Sequence, residues 1–331
     1  MNYCLFKLKF TTPLHIGESD RADALGTSRM TFCADTLFSA LCHTAVSADG
    51  ETGAERLCET VRRGGLLFSD AMPYSGDRLF IPKPYIKAAR QPSGAETSAD
   101  DRKAMKKLSH IPVSSLAEFF SSVGGAGRYD AAAYKVSFGQ NYITTKNSID
   151  RDGGATPYSV GLLEFNKGCG LYFIAAYEDD KTQERLAALV ERLGLGGIGG
   201  KVSSGYGKFK FLEDPNTLVD DDYSAPDERM LLRMLTRKDA PLYISLTTSL
   251  PLDEELDSAL DGAAYGVSRR GGFVFSETFA ESPVKKRTQY FLSAGSAFVH
   301  KYHGALYEAA ADGAHPVYRY GIPLFLGAER P

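Results

Sequence analysis

Seven of the fourteen residues from Gly194 to Gly207 are glycine, in a stretch that reads LGLGGIGGKVSSGYGKF with its flanks. It lies between a helix-like segment and a strand-like one, so it reads as the loop that joins them. Without a Cβ, such a loop brings backbone N–H groups close to a ligand. Runs of N–H groups at an element junction make anion-binding concavities, and phosphate is the natural guest. Lys201, Ser203 and Ser204 add a charge and two hydroxyls. The spacing matches neither GxxxxGK[ST] nor a GxGxxG that opens a helix, which disfavours a nucleotide or dinucleotide loop. A phosphate chain, RNA or DNA, fits better.

The length of 331 residues suits about two domains. No apolar run reaches the ~18 residues of a membrane span. The start, MNYCLFKLKF, lacks the apolar core of a signal peptide. A cytoplasmic protein is expected. Cys4, Cys33, Cys42, Cys58 and Cys169 form no CxxC pair and read as reduced thiols. A net charge of −3 excludes bulk polyanion binding, so any nucleic-acid contact must come from local basic surfaces. Candidates are Lys83/Lys87/Arg90, Arg102–Lys107, Lys146/Arg151, Arg269–Arg270 and Lys285–Arg287.

Along the chain, alternation over 3–10 predicts a half-buried strand with Phe6, Leu8 and Phe10 inward and Lys7 and Lys9 outward. Asp35 is expected to cap a helix with the apolar stripe Leu37, Phe38, Leu41 and Ala45. Short strands follow at Leu66–Phe68 and Leu79–Ile81. A projecting hairpin spans about 134–166, around Asp152-Gly153-Gly154. A strand over Leu171–Tyr177 leads to a helix from Asp180, with Gln183 completing a capping box and Gly194 ending it. Tyr206–Leu212 closes the unit. This order is that of an α+β, ferredoxin-like domain whose antiparallel sheet leaves one face free for a ligand. After an acidic linker at 214–226, a second αβ unit begins at Leu242–Leu250. The expected organisation is 1–215, carrying the hairpin and the glycine loop (194–207), and then 216–331.

Several segments occur together in an order that resembles one family. They are LKFTTPLHIGE, ADTLFSALC, TTKNSIDRDGG, GGKVSSGYGKF, KRTQYFLSAGSAF and HPVYRYGIPL. The chain is similar over its length to the RAMP superfamily of CRISPR effector proteins. Within it, the likeness is to the type III-A (Csm) subunits that cap the 5′ end of the guide RNA. The resemblance implies two tandem ferredoxin-like (RRM-like) domains, no catalytic residues of the subunit's own, no metal and no cofactor. It implies that the repeat-derived 5′ tag of the crRNA is gripped by the glycine loop (Gly199, Gly200, Lys201, Ser203, Ser204, Gly205, Tyr206). The loop after the first strand (His15, Gly17, Arg29) shares that grip. Lys146, Asn147 and Arg151 fall on a projecting thumb hairpin. The implied partners are the large palm-domain subunit and an adjacent backbone RAMP subunit.

Other chemistry stays open at this point. His15 reads as a hydrogen-bonded structural residue, as a stacking or phosphate-binding residue, or as the acid/base of a guide-processing endoribonuclease. Metal-free RNA cleavage needs one group to take the 2′-OH proton and another to protonate the leaving oxygen. No second histidine is spaced to converge on His15. Asp20/Asp23 and Asp150/Asp152 are the nearest carboxylate pairs, and turn chemistry explains Asp there. His300 and His303 lack a third ligand. Tyr206 could pack on the core or stack on a base, and His315 and Arg319 read as supports of the second unit. A plain protein–protein adaptor is the third reading.

Overall fold

The computed structural model describes residues 1–17, 25–87, 99–125, 127–149, 154–276, 278–311 and 313–331, with side chains of 99–102 excluded. Asp20, Asp23, Arg90, Asp150, Arg151, Asp152 and Gly153 lie outside the described residues.

The N-terminal half is built on an antiparallel sheet centred on β1 (Asn2–Phe10). After it come helices α1 (Ala34–Asp49) and α2 (Glu51–Arg62) and strands β2 (Leu66–Phe68), β3 (Met72–Ser75) and β4 (Arg78–Pro82). Helix α3 (Ala99–Lys107), which holds the basic stretch, β5 (His110–Pro112) and α4 (Leu116–Val123) follow. The hairpin β6 (Gly139–Ile149)/β7 (Ala155–Phe165) then leads to β8 (Cys169–Tyr177), α5 (Asp180–Gly196) and β9 (Phe209–Phe211). Strand β10 (Asn216–Thr217) pairs with β1, so the first sheet runs just past the expected boundary at 215.

Strand β8 pairs with β1 on one side and with β2 and β3 on the other. Between β2 and β3 the ladder is kept alive by Ser69, whose N–H donates to Ile174 O while its Oγ accepts from Ile174 N. Strands β9 and β10 extend the β1 edge. The βαββαβ order of the N-terminal half is thus present, with elaborations between its strands.

The expectation of a free sheet face is corrected. All nine residues of β8 are buried. Leu171, Phe173, Ala175 and Tyr177 pack under α1, α2 and α5 on one face, while Tyr172, Ile174 and Ala176 face the second half. A strand covered on both faces reads as a continuous apolar run, and CGLYFIAAY is one. Lys7 is corrected likewise: it is buried, with Nζ at 2.7 Å from Glu213 and 2.9 Å from Glu228. Burial pushes its pKa down, but the two carboxylates win and hold it above the usual lysine value.

The C-terminal half supplies the cover. Helix α6 (Pro226–Thr236) starts with proline in its first turn and buries Leu231, Met234 and Leu235. Strand β11 (Leu242–Ser245) follows, then a short helix α7 (Leu256–Leu260), β12 (Val267–Arg270), β13 (Gln289–Leu292), β14 (Ala297–Phe298), β15 (Leu306–Ala310), β16 (Val317–Tyr320) and β17 (Phe325–Ala328). Among the described residues these form the sheet β14-β11-β17 and the pairs β12-β13 and β15-β16. Leu242, Ile244 and Leu326 join Tyr172 and Ile174 in one core, while Tyr320 reaches the other core and accepts from Phe68 N.

Two helix ends also differ from expectation. Helix α1 has Cys33 at its cap position, and its Ala34 N–H donates to Asp70 Oδ1 from across the sheet. Asp35 instead grips Arg270. Helix α5 is capped by Asp179, which accepts from Thr182 N, and it runs on to Gly196, so Gly194 does not end it. A methyl at Gly194 would strike the Phe209 carbonyl, which makes this glycine a packing residue where helix meets strand.

Candidate nucleic-acid interface

Three segments distant in sequence meet at the mouth of the N-terminal half, and His15 sits where they cross. The loop after β1 accepts from the glycine loop twice, Gly200 N to His15 O (2.8 Å) and Gly207 N to Pro13 O (2.8 Å). The hairpin base joins through a reciprocal Leu14–Leu163 pair and through His15 Nδ1, 2.7 Å from Gly161 O. The glycine content is required by this lacing. Gly199 has φ +98, and a Cβ there would collide with the His15 carbonyl; Gly207 has φ +74 and lies on the Ile198 carbonyl.

The lacing consumes the N–H groups of Ile198, Gly200 and Gly207. Among the described residues, those of Gly199, Lys201, Val202 and Ser203 have no protein acceptor. Three of them are consecutive. They open a single 3-10 turn (Val202–Ser204) that starts from Lys201 in the left-handed region, φ 61 and ψ 26. A left-handed residue followed by right-handed ones points successive N–H groups into one concavity suited to an anion. Lys201 is the one non-glycine residue with positive φ among the described residues, and such a conformation costs about 1 kcal/mol.

Two lysine–tyrosine pairs tie this arc to the hairpin. Lys201 Nζ lies 4.5 Å from the Tyr158 ring centre, and Lys146 Nζ lies 5.1 Å from that of Tyr206. Lys146 and Tyr158 face each other across the hairpin ladder. The contact with Tyr206 raises the Lys146 pKa.

The arc forms part of a groove of about 1070 Å³. Gly17 and Arg29 line it, with Thr36, Ser39 and His43 of α1. Arg192, Arg270, Lys286 and Arg319 contribute positive charge, and Asp35 is the one carboxylate among its described lining residues. Asp35 is bound by Arg270 at 2.7 and 3.0 Å, and Arg319 Nε lies 3.9 Å away.

The structure brings together Gly17, Arg29, Gly199, Gly200, Lys201 and Ser203 on this groove, with Ser204 and Gly205 beside them. Lys146 and Tyr206 brace the loop, and Asn147 is exposed on the hairpin. His15 is 3% exposed, so its ring buttresses the loop from beneath and offers no open face for stacking. His300 and His303 lie elsewhere, His303 against Glu255. Arg270 and Lys286 were legible as local basic surfaces and Arg319 as a support of the second unit; that they meet at α1, more than two hundred residues away, was not.

A family model described as the RAMP superfamily matches residues 7–210, and one described as the CRISPR Csm4 C-terminal domain matches 238–328. The chain is 33% identical over 328 residues to a Mycobacterium tuberculosis protein named CRISPR system Cms protein Csm4, covering 98% of each. It is 28% identical to the Streptococcus thermophilus protein of that name, over 99% of this chain and all of that one. Its fold is similar to chains in a Csm3–Csm4 subcomplex of a type III-A CRISPR-Cas interference complex (TM-score 0.63, 16% identity, 99% of each chain covered). It is likewise similar to a chain in a Csm1–Csm4 cassette bound to pppApA (TM-score 0.61, 17% identity, 100% and 99% covered).

Proposed function

Since the chain belongs to the RAMP superfamily and, within it, to the Csm4 family of type III CRISPR effector subunits, we propose that it caps the 5′ repeat-derived tag of the crRNA and performs no chemistry of its own. The N-terminal half supplies one ferredoxin-like unit, in the order β9/β10–β1–β8–β2/β3. The C-terminal half is a reduced second unit of the same kind. By analogy with the Csm1–Csm4 and Csm3–Csm4 assemblies, its protein partners are a large palm-domain subunit and a backbone RAMP subunit. The β6/β7 hairpin serves as the thumb that meets the latter, with Ile143 and Ile149 exposed along it.

One observation carries the RNA reading: among the described residues, the consecutive N–H groups of Lys201, Val202 and Ser203 have no protein acceptor, on a groove whose charged lining residues are mostly cations. Phosphates of an unpaired strand would accept from that arc, while the Ser203 and Ser204 hydroxyls reach 2′-OH groups. The buried ring of His15 favours the scaffold over a guide-processing nuclease, whose base must reach the 2′-OH.

The test is guide retention by the assembled complex. Lys201→Glu combined with Lys146→Glu is expected to reduce co-purified crRNA at least tenfold and to make the remainder more salt-sensitive. Wild-type crRNA retention in that variant would support the adaptor instead. Metal-independent cleavage of repeat RNA by the purified chain, lost in His15→Ala, would support the nuclease.

A further inference from the structure

The groove has a wall built by the C-terminal half, and its charges are not balanced. Lys286 projects there from the segment before β13, its backbone N–H held 2.8 Å from Gly272 O. Its side chain is half-buried and lines the groove. Among the described residues, its Nζ makes no hydrogen bond and no ion pair within 4 Å, and Asp35 acts on it only at longer range. Burial lowers its pKa; Asp35 opposes that, and Arg319 and Arg270 push it further down.

The one nearby carboxylate on the groove is already committed. Asp35 takes Arg270 on both oxygens. Arg319 is 3% exposed and spends its guanidinium on the carbonyls of Arg270, Gly271 and Arg287 and on Gln289 Oε1. Those carbonyls orient Arg319 without cancelling its charge. Asp70, behind the start of α1, adds a more distant negative charge felt by Arg270. Among the described residues, three cations thus stand against one carboxylate in the wall itself. A cation left unpaired in a low-dielectric setting is costly, and an arriving anion removes that cost.

Resting on the RNA reading above, we propose that Lys286, backed by Arg270 and Arg319, seats a phosphate group on this wall. A phosphate is the fitting ligand because Lys286 shares the groove with two further polar groups of α1, the Ser39 hydroxyl and His43. The phosphate comes either from within the bound strand or from its 5′ end. The C-terminal half then grips the ligand directly, a role that the motifs at 15–17 and 199–206 do not cover.

Titration calorimetry on the purified full chain tests the seat. The probes are an eight-nucleotide single-stranded RNA with a 5′-hydroxyl, the same RNA with a 5′-phosphate, and inorganic phosphate. Lys286→Gln is expected to weaken RNA binding about fivefold to tenfold and to lower the salt slope by about 0.7, one phosphate contact on a single strand. Lys286→Arg should keep both, and matched melting curves guard against misfolding. Equal loss for the two RNAs assigns an internal phosphate; loss confined to the 5′-phosphorylated RNA, with phosphate as competitor, assigns the terminus. Wild-type affinity and slope in Lys286→Gln overturn the seat. Should Lys201→Glu weaken binding in that case, the glycine-loop reading stands alone. Should Lys286→Gln weaken binding while Lys201→Glu does not, the seat stands and the loop reading falls.

Discussion

A carboxylate 36 residues away from the helix it serves, Asp70, shows what a single side chain settles in this fold. Its Oδ1 accepts from Ala34 N at 2.8 Å and Thr248 N at 3.0 Å, and its Oδ2 from Thr248 Oγ1 at 2.6 Å. One group therefore caps α1 and pins the C-terminal half to it. Burial pushes its pKa from 3.8 up to about 6, with the hydrogen bonds from Thr248 and Ala34 pulling the other way. Because the folded value is raised, the native chain holds a proton that the unfolded chain releases. Asp70 therefore contributes most stability below its unfolded pKa and loses that contribution as the pH rises through about 6. Asp70→Asn keeps the accepting oxygen and turns the other atom into a donor for Thr248. It is expected to stabilise the protein at pH 8 by roughly 2–3 kcal/mol and to be near neutral at pH 4, measured as urea midpoints. Equal pH dependence in variant and wild type would refute this. None of it was legible in the sequence, where Asp35 stands in the ordinary capping place. A cap supplied from across the sheet leaves no local spacing to read. His15 was singled out from its local motif, and its inward ring depends on Gly161, 146 residues on.

At the level of elements, the sequence located the glycine loop, the hairpin and the apolar stripe of α1 because each is written in adjacent residues. Leu37, Phe38, Leu41 and Ala45 are all buried as their spacing requires. The end of α5 was misplaced by two residues, since a glycine chosen for close packing looks the same as one chosen to stop a helix. The loop itself is specified by contacts with the segment after β1. Gly199→Ala forces a left-handed alanine against the His15 carbonyl. It should cost about 2 kcal/mol or more and raise hydrogen-exchange rates at Gly200 and Gly207, whose N–H groups close the lacing. Gly205→Ala, with nothing within 4 Å of its Cβ, is the control and should cost less. Similar losses in both would show that the lacing does not hold the loop.

For the molecule as a whole, two of the three apolar clusters among the described residues are shared between the two halves, and the third, around Phe298 and Tyr302, lies within the C-terminal half. Tyr172 and Ile174 of β8 share a cluster with Leu231, Ile244 and Leu326, and Tyr320 enters the opposite cluster. A chain of residues 1–215 is expected to expose that apolar face, bind a hydrophobic dye and self-associate, while the full chain melts in one transition. A monomeric fragment with its own sharp melt would count against a shared core. The sequence suggested two units because strands and helices recur in similar order, and the burial of both faces of β8 was visible only as its unbroken apolar run. The paired lysine–tyrosine stacks have a mechanical corollary. Lys146 and Tyr158 are neighbours on one stiff arm, and each holds a different point of the cradle at its foot. A load applied near Ile143 or Ile149 would reach that cradle through these two contacts, because one rung of the ladder carries both.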